Sequence, residues 1–259
     1  MRADQLLVER GLATSRSQAQ RLIAAGVRWF DGASWKSVAK NGDELPQQAR
    51  IELADDAEAR YVSRGGLKLE GALKSAGIDV QGMHCLDVGQ STGGFTDCLL
   101  QHGAASVLGV DVGHGQLHPR LRADARVRCL EGVNARHLDD SKLIACCADP
   151  VRARALFDSN FDLIVGDLSF ISLALVLPAL APLLAPGGQV LLLVKPQFEL
   201  QPADIGKGGI VRDPALYARV EQRLRAACAN TGLAVLHWLD SPIAGGDGNR
   251  EFFIHARAA

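Results

Sequence analysis

Short apolar runs alternate with amphipathic segments over most of the chain. The runs have the length of strands buried on both faces of a parallel sheet, and the segments between them have helical spacing. The segment 213–232 begins with Asp213 and Pro214 and ends in glycine, which is typical of a capped helix. This alternation predicts an α/β fold with a mostly parallel, doubly wound sheet. The predicted strands are HCLDVG (84–89), SVLGVDV (106–112), VRCLEG (127–132), FDLIVGDL (161–168), QVLLLVK (189–195), AVLHWLD (234–240) and EFFIHA (251–256).

The last two predicted strands are joined only by the short sequence SPIAGGDGNR (241–250). A parallel connection needs a longer crossover, so we expect these two strands to pair antiparallel. The longest apolar stretch, FISLALVLPALAPLLAPGG (170–188), contains three prolines and ends in two glycines. It is predicted to form a buried helix and turn, and not a membrane span.

The first 60 residues have a different pattern, with two short helices followed by short strands. Leu6 and Leu7 belong to an apolar stripe on the first helix, and Thr14 or Ser15 can cap the second. ARIEL (49–53) has the form of a closing strand after turn-rich sequence. The polar stretch that follows ends in two glycines. We therefore predict a small α+β domain at 1–60, a linker at 61–66 and a large domain at 67–259.

Composition narrows the possible classes of function. The 259 residues carry a formal net charge of −1, so binding to nucleic acid would need a local basic patch. The six cysteines form no C-x-x-C pair, which argues against a disulfide framework and a zinc site. His114 and His118 lie among glycines and a proline, so a helical metal site is not expected. The N-terminus has no signal-peptide pattern, and a cytoplasmic protein without metal or membrane partners is predicted. Nothing in the sequence indicates an oligomeric state.

The sequence CLDVGQSTGGFTDCLL (85–100) combines a strand, a glycine-rich loop and the start of a helix. Such a loop lets the backbone approach a ligand at a helix N-terminus, but Ser91 breaks the G-x-G-x-x-G fingerprint of dinucleotide sites. Asp87 would repel a pyrophosphate and tolerate a sulfonium ion. Asp111, at the tip of the next strand, can accept hydrogen bonds from ribose hydroxyls. These residues predict an S-adenosylmethionine site; the alternative is a tight turn in which Asp111 caps a helix.

Charged residues lie where several predicted strands end. LIVGDLSF places Asp167 at the carboxyl end of its strand, and LLLVK places Lys195 there. Glu251 begins the last strand, which reaches the same edge of the sheet if it runs antiparallel, and Lys68 lies in the first helix of the large domain. This set suits methyl transfer to a sugar hydroxyl, in which a lysine either takes the proton as a neutral amine or stabilises the oxygen as a cation. The alternative for Lys195 is an ordinary surface ion pair.

The sequence DQLLVERGLATSRSQAQRLIAAGVRWFDG (4–32) resembles the S-four-type RNA-binding domain, which occurs in a ribosomal protein and in pseudouridine synthases. Trp29 and Phe30 replace small aliphatic residues of that pattern. Residues 1–68 carry 11 Lys and Arg against 9 Asp and Glu, a net of +2, so contact with RNA depends on clustered arginines and not on total charge. The alternative is a solvated helix face. The resemblance implies RNA binding through Arg10, Arg16, Arg21, Arg28 and Arg64.

Several motifs, spread over almost the whole chain, resemble the TlyA-type family of rRNA methyltransferases, historically called hemolysins. They are VSRGGLKLEGAL, LDVGQSTGGFTDCLL, VDVGHGQL, GDLSFISL, LLVKPQFE, GGIVRDP and GNREFF. The resemblance implies a Rossmann-like methyltransferase domain of the RrmJ/FtsJ kind joined to the small RNA-binding domain. The family's catalytic tetrad falls on Lys68, Asp167, Lys195 and Glu251. Its S-adenosylmethionine site falls on Asp87, Gly89, Gln90, Ser91, Thr92, Gly93, Gly94, Phe95, Asp111, Asn134, Asp167 and Phe170.

Two features depart from the family pattern, since Gln90 replaces a small residue of the glycine loop and the segment 139–160 is longer.

GKGGIVRDP (206–214) is either a loop that closes over the acceptor or a plain connection. The resemblance implies 2′-O-methylation of cytidine in ribosomal RNA, with ribosomal subunits as partners. The alternatives are a membrane-active hemolysin and an RNA-binding protein whose methyltransferase fold is inactive.

Overall fold

The computed structural model describes residues 1–13, 15–53, 60–139 and 160–258. The chain divides into two compact units, Met1–Leu67 and Lys68–Ala259, and the linker predicted at 61–66 falls in the smaller unit. Thr14 and nearly all of the segment 139–160 lie outside the described residues.

In its described residues, the smaller unit has two helices and a three-stranded antiparallel sheet before a further helix begins at Gly65. Its elements are α1 (Ala3–Glu9), α2 (Arg16–Gly26), β1 (Val27–Phe30), β2 (Trp35–Ser37) and β3 (Arg50–Leu53). The sheet order is β2-β1-β3. Ser15 caps α2, because its hydroxyl accepts the backbone N–H of Gln18 at 3.2 Å. Leu6, Leu7 and Leu22 from the helices pack together with the sheet in one core.

The larger unit is built on a seven-stranded sheet. Its strands are β4 (His84–Val88), β5 (Ser106–Asp111), β6 (Val127–Glu131), β7 (Phe161–Gly166), β8 (Leu184–Val194), β9 (Leu233–Asp240) and β10 (Phe252–Ala258). Its helices are α4 (Gly94–Gln101), α5 (Pro119–Arg122), α6 (Leu177–Leu180), α7 (Pro196–Glu199) and α8 (Pro214–Asn230), preceded by α3 (Gly65–Ala76), which starts in the smaller unit.

The sheet order is β6-β5-β4-β7-β8-β10-β9. The pairs β5–β6, β4–β5, β4–β7 and β7–β8 are parallel, whereas β10 pairs antiparallel with both β8 and β9. This confirms the mostly parallel sheet with an antiparallel last strand. The strand order reverses between β4 and β7, and in open α/β sheets ligands bind beyond the carboxyl ends of the strands at such a switch point.

Helices cover both faces of this sheet. Alternate residues of β10, such as Phe252 and Ile254, pack in the same cluster as α6 and α8. Phe253 points the opposite way and stacks on Phe95 of α4, with ring centroids 6.1 Å apart. The predicted cap of α8 is confirmed, since Asp213 accepts the N–H of Ala215 at 2.9 Å. Within the described ranges, every helix is too short or too polar to be a membrane span.

The apolar stretch 170–188 forms several short elements instead of the single predicted helix. Two 3-10 turns, Leu173–Leu175 and Ala181–Leu183, flank α6, and β8 follows directly. Pro178 and Pro182 explain the difference, because proline has no backbone N–H and is tolerated only in the first turn of a helix. The stretch is buried against the sheet all the same, since all of its leucines except the exposed Leu175 belong to the main core.

Candidate active site

A pocket of about 490 Å³ lies at the carboxyl ends of β4, β5 and β7. Strand order places it at the reversal point of the sheet, where the fold leaves a crevice. Six of the residues that the sequence assigned to the donor site line it: Gly89, Ser91, Asp111, Asn134, Asp167 and Phe170. Apolar side chains including Val110, Val133 and Ile171 form much of the remaining wall.

Gly89 brings the glycine loop into contact with the segment that follows β7. Its φ of +81° is in the left-handed region, and a Cβ at this position would lie 2.8 Å from the backbone oxygen of Asp167. Gly93 also has a positive φ, and a Cβ there would overlap Leu121. The two glycines are therefore required by backbone conformation and by close packing, and they give the loop its shape beside the pocket.

Asp111 lines the pocket and also holds the glycine loop in place through hydrogen bonds to backbone N–H groups. Its Oδ2 accepts the backbone N–H of Ser91 at 2.7 Å, and its Oδ1 accepts that of Gly113 at 2.7 Å. Asn134 is exposed at the opposite wall, where its Oδ1 accepts the N–H of Arg136 at the start of a 3-10 turn. Gln116, which sequence reasoning missed, also lines the pocket and accepts a hydrogen bond from the Ser91 hydroxyl at 3.0 Å.

Asp87 is buried directly behind the loop. Its Oδ2 accepts hydrogen bonds from the backbone N–H and the hydroxyl of Thr96, and its Oδ1 has no hydrogen-bond partner among the described residues. Burial raises the pKa of Asp87 to about 7, and the charges of Asp167 and Asp111 act in the same direction. This crowding of carboxylates favours a ligand with positive charge.

Four other predicted donor residues are not part of the pocket lining among the residues that the structure describes. Gln90 is buried, donates to the Thr96 hydroxyl at 2.8 Å and fills the space above Gly109. Phe95 lies in the core, and the carbonyl of Thr92 accepts the N–H of His118. Gly94 is buried as the first residue of α4. These residues shape the loop from behind.

Phe170 occupies a prominent position at the rim of the pocket. Its side chain is 88% exposed, its φ is +64°, and its ring centroid lies 5.0 Å from that of Phe198. Backbone strain of this kind concentrates at ligand sites.

Two lysine–carboxylate pairs lie at this edge of the sheet, and one of them reaches the pocket. Lys195 Nζ lies 2.6 Å from Asp167 Oδ1 and donates to the hydroxyl of Ser169 at 2.8 Å. Lys68 Nζ lies 2.5 Å from Glu251 Oε2, and these two side chains are only 8% and 3% exposed. Asp167 connects the two parts of the site, because it lines the pocket and also pairs with Lys195.

Strand register explains why these residues meet although they are distant in sequence. Phe252 pairs with Val194, so Glu251 and Lys195 come next to each other just beyond the paired residues. Burial raises the pKa of Glu251, the charge of Lys68 opposes this rise, and the charges of Asp167 and Lys195 also act on it. The four predicted catalytic side chains therefore form one electrostatic cluster at a single edge of the sheet.

A buried glutamate that sequence reasoning missed holds the wall of this site. Glu199 accepts hydrogen bonds from the Ser172 hydroxyl at 2.5 Å and from the backbone N–H of Leu173 at 2.7 Å. It thereby fixes the segment that carries Asp167 and Ser169 to the helix that follows Lys195. Burial raises the pKa of Glu199.

Asn249, also missed, ties the 206–214 segment to the residues just before the last strand. Its Oδ1 accepts the N–H of Val211 at 2.9 Å, and its Nδ2 donates to the carbonyl of Gly209 at 3.0 Å. The 206–214 loop is thus fastened beside Glu251 in this structure.

The predicted RNA-binding arginines of the smaller unit have protein partners. Arg16 pairs with the buried Asp4 at 3.0 Å, and Arg28 with Glu52 at 2.7 Å. Arg10 donates to the carbonyls of two residues in the loop before β3, and Arg21 donates to that of Ser17 in its own helix. Arg64 is half-buried before α3.

Comparison with known proteins agrees with this geometry. The model of the FtsJ-like methyltransferase family matches residues 61–258. A Bacillus subtilis protein, provisionally named rRNA methyltransferase YqxC, is 43% identical over 254 residues, which cover 98% of this chain and 84% of the relative. The 16S/23S rRNA (cytidine-2′-O)-methyltransferase TlyA of Mycobacterium tuberculosis is 42% identical over 256 residues, which cover 99% of this chain and 89% of the relative.

A solved structure from Streptococcus thermophilus, provisionally named a hemolysin, is similar over the full length. It superposes with a TM-score of 0.74 at 39% identity and covers 100% of this chain and 88% of its own.

Proposed function

This chain belongs to the FtsJ-like methyltransferase family, and from that membership we propose that it methylates the ribose 2′ hydroxyl of cytidine in ribosomal RNA with S-adenosylmethionine as donor. The observation that carries the proposal is the junction at Asp167. There, a pocket suited to a cationic cofactor meets two lysine–carboxylate pairs suited to a sugar hydroxyl.

We assign the donor to the pocket between β4, β5 and β7. Its volume of about 490 Å³ is ordinary for a small-molecule site. S-adenosylmethionine supplies, when bound, a methyl group activated by a positively charged sulfur, and the carboxylates of Asp87, Asp111 and Asp167 favour that charge. Asp111 would accept hydrogen bonds from the ribose hydroxyls, and Asn134 and the backbone at Gly89 would complete the contacts.

We assign the acceptor hydroxyl to Lys195 Nζ. A neutral amine has two N–H groups, and Asp167 and Ser169 can accept both, which leaves the nitrogen lone pair for the hydroxyl proton. Once that proton is transferred, the adjacent carboxylate of Asp167 stabilises the resulting ammonium. The second, buried pair fixes the floor of the acceptor site. The charge of Lys68 can stabilise negative charge as it develops on the ribose oxygen.

The smaller unit would supply affinity for structured RNA. The guanidinium groups of Arg10, Arg16 and Arg28 are held by their protein partners, which fixes their direction. Each guanidinium has five N–H donors, so further donors remain for phosphate oxygens after these contacts. Duplex RNA is recognised mainly through shape and phosphates, which suits a set of oriented arginines.

The test is transfer of tritiated methyl groups to ribosomal subunits that lack the modification. We expect label on a 2′ oxygen of cytidine, identified as a dinucleotide that resists alkaline hydrolysis. Lys195→Ala should lower the rate by about 10²–10⁴-fold, the usual contribution of acid–base catalysis. Lys74→Ala, which removes an exposed lysine on α3, is the matched control and should leave the rate unchanged.

Three outcomes would contradict the proposal. Label on a base would show that the methylated atom is not the 2′ oxygen. An unchanged rate in Lys195→Ala would show that this lysine only forms an ion pair with Asp167 and takes no part in the reaction. Absence of transfer by a correctly folded wild-type protein that binds the subunits would favour an RNA-binding protein without activity.

A further inference from the structure

The sheet of the smaller unit has one face that its core does not use. Along its strands, Val27, Trp29, Ile51 and Leu53 pack into the hydrophobic core. The alternate residues point the other way, because side chains alternate between the faces of a sheet. Strand register places these on one surface, since Arg28 pairs with Ser37 and Glu52, and Phe30 pairs with Trp35 and Arg50. We call these six residues the outer face.

Two aromatic rings and two guanidinium groups form the centre of the outer face. The ring centroids of Phe30 and Trp35 lie 5.5 Å apart. The guanidinium carbon of Arg50 lies 5.9 Å from each of these rings, and that of Arg28 lies 5.9 Å from Trp35. The two rings are tilted by 54° to each other, and Trp35 is 39% exposed, so its ring presents an aromatic surface to solvent.

Packing within the unit does not account for this arrangement. A cross-strand aromatic pair can stabilise a hairpin, but it does so by covering apolar surface. Here the strand that carries Trp35 is exposed at all three of its residues, and no second layer covers its outer side within the described residues. A large aromatic side chain that stays exposed among arginines is typical of a recognition surface.

We propose that the outer face binds an unpaired nucleobase of RNA, stacked on the exposed ring of Trp35 beside Phe30, with Arg50 directed at a neighbouring phosphate. This proposal rests on the proposed function, which makes RNA the substrate. Unpaired bases of RNA loops are recognised by stacking on aromatic rings and on guanidinium planes, and stacking tolerates any base because each has a π-face.

Charge on the outer face favours an anionic ligand over an apolar protein surface. The carboxylate of Glu52 is already paired with Arg28, and that of Asp31, in the adjoining turn, with Lys36. Arg50 forms no ion pair with another described residue, so its positive charge remains beside the rings. A planar apolar surface with one such cation complements a base attached to a phosphate.

Arg10 and Arg16, which lie outside the outer face, would then have a different task from the aromatic rings. Guanidinium groups that contact phosphates recognise the shape of a duplex, whereas the aromatic pair recognises a base that is not paired. The combined footprint is a duplex next to a loop or bulge, which is a more selective target than a duplex alone.

The test measures equilibrium binding of the full-length protein to two labelled probes without any methyl donor. The first probe is a short single-stranded RNA, and the second has the same ribose-phosphate backbone without bases. We expect Trp35→Ala to weaken binding of the RNA by roughly tenfold or more, the usual effect of losing one base stack. Binding of the abasic probe should be unchanged, Trp35→Phe should retain most of the affinity, and Ser34→Ala in the same turn should behave as wild type.

Binding without a donor separates this proposal from the proposed function, since loss of methyl transfer alone would leave the outer face intact. Equal weakening for both probes would overturn the proposal in favour of a simple charged surface. RNA affinity that Trp35→Ala leaves unchanged would also overturn it, as would sedimentation showing that this substitution dissociates a dimer. Circular dichroism confirms that the variants are folded. If the alanine variant unfolds, Trp35→Leu, which keeps an apolar side chain without an aromatic ring, takes its place with the same expected loss of RNA affinity.

Discussion

Replacing Lys68 by methionine leaves the carboxylate of Glu251 buried without its partner. The two groups lie 2.5 Å apart, with side chains only 8% and 3% exposed, so water cannot take the place of the lysine. Removing one partner of a buried ion pair costs about 3–5 kcal/mol of unfolding free energy. In a unit of this size, a loss of 1 kcal/mol lowers the melting temperature by roughly 2–4 °C, so we expect a decrease of roughly 6–20 °C at neutral pH.

The sign of the pH dependence follows from the pKa of Glu251. Burial raises this pKa in the folded state above its ordinary value of 4.5, and loss of Lys68 raises it further. Below about pH 4.5 the carboxyl is protonated in both the folded and the unfolded state, so its burial does not lower the unfolding free energy of the variant. As the pH rises, only the unfolded state ionises freely, and stability falls by at most about 1.4 kcal/mol per pH unit.

The assay is urea unfolding between pH 4.5 and 8, followed through the fluorescence of Trp238. A background with Trp29→Phe and Trp35→Phe confines the signal to the larger unit. The control is the double variant Lys68→Met with Glu251→Gln, which removes both charges and should unfold within about 1 kcal/mol of the background protein at every pH. A loss of stability in the single variant that is equal at pH 4.5 and pH 8 would refute the reasoning.

Two further predictions concern the donor pocket. Gly89→Ala should abolish measurable S-adenosylmethionine binding in titration calorimetry, because its Cβ would lie 2.8 Å from the Asp167 carbonyl. The control is Gly77→Ala, which also has a positive φ but has open space around it, and this variant should bind the donor normally. Asp87→Asn should stabilise the free protein by up to about 4 kcal/mol at pH 8, because the pKa of the Asp87 carboxyl is about 7 in the folded protein and 3.8 when unfolded, so its ionisation favours the unfolded state. Near pH 4 this carboxyl is largely protonated in both states, and the substitution should bring no such gain. It should also weaken donor binding, and a gain equal at both pH values would contradict this account.

Much of the sheet could be predicted from the sequence because its signals are local. Each buried strand is an apolar run of its own, and the ten-residue connection before Glu251 is too short for a helical crossover. The failure at 170–188 has a local cause as well, because leucine-rich composition favoured a helix that Pro178 and Pro182 interrupt. The sequence was therefore sufficient to predict that the strands exist, but it was not sufficient to predict that the apolar stretch is broken into several short elements.

The site was predictable in its residues but not in its pairing. Motif resemblance selected the four charged side chains, yet which lysine meets which carboxylate depends on the register of β10 against β8. Glu199 and Asn249 were missed because their partners lie 26–27 and 38 positions away along the chain, where no local pattern signals them. The position of Gln90 was not predictable either, since its side chain fills a space at Gly109 that only the fold reveals.

The ion pair between Lys68 and Glu251 joins positions 183 residues apart, and β10 enters the sheet between two strands that precede it. During synthesis, the strands that form the donor crevice emerge well before this final insertion. We therefore expect a nascent polypeptide to form the proposed donor crevice before Glu251 can pair with Lys68. The proposed acceptor site is complete only when β10 has entered the sheet.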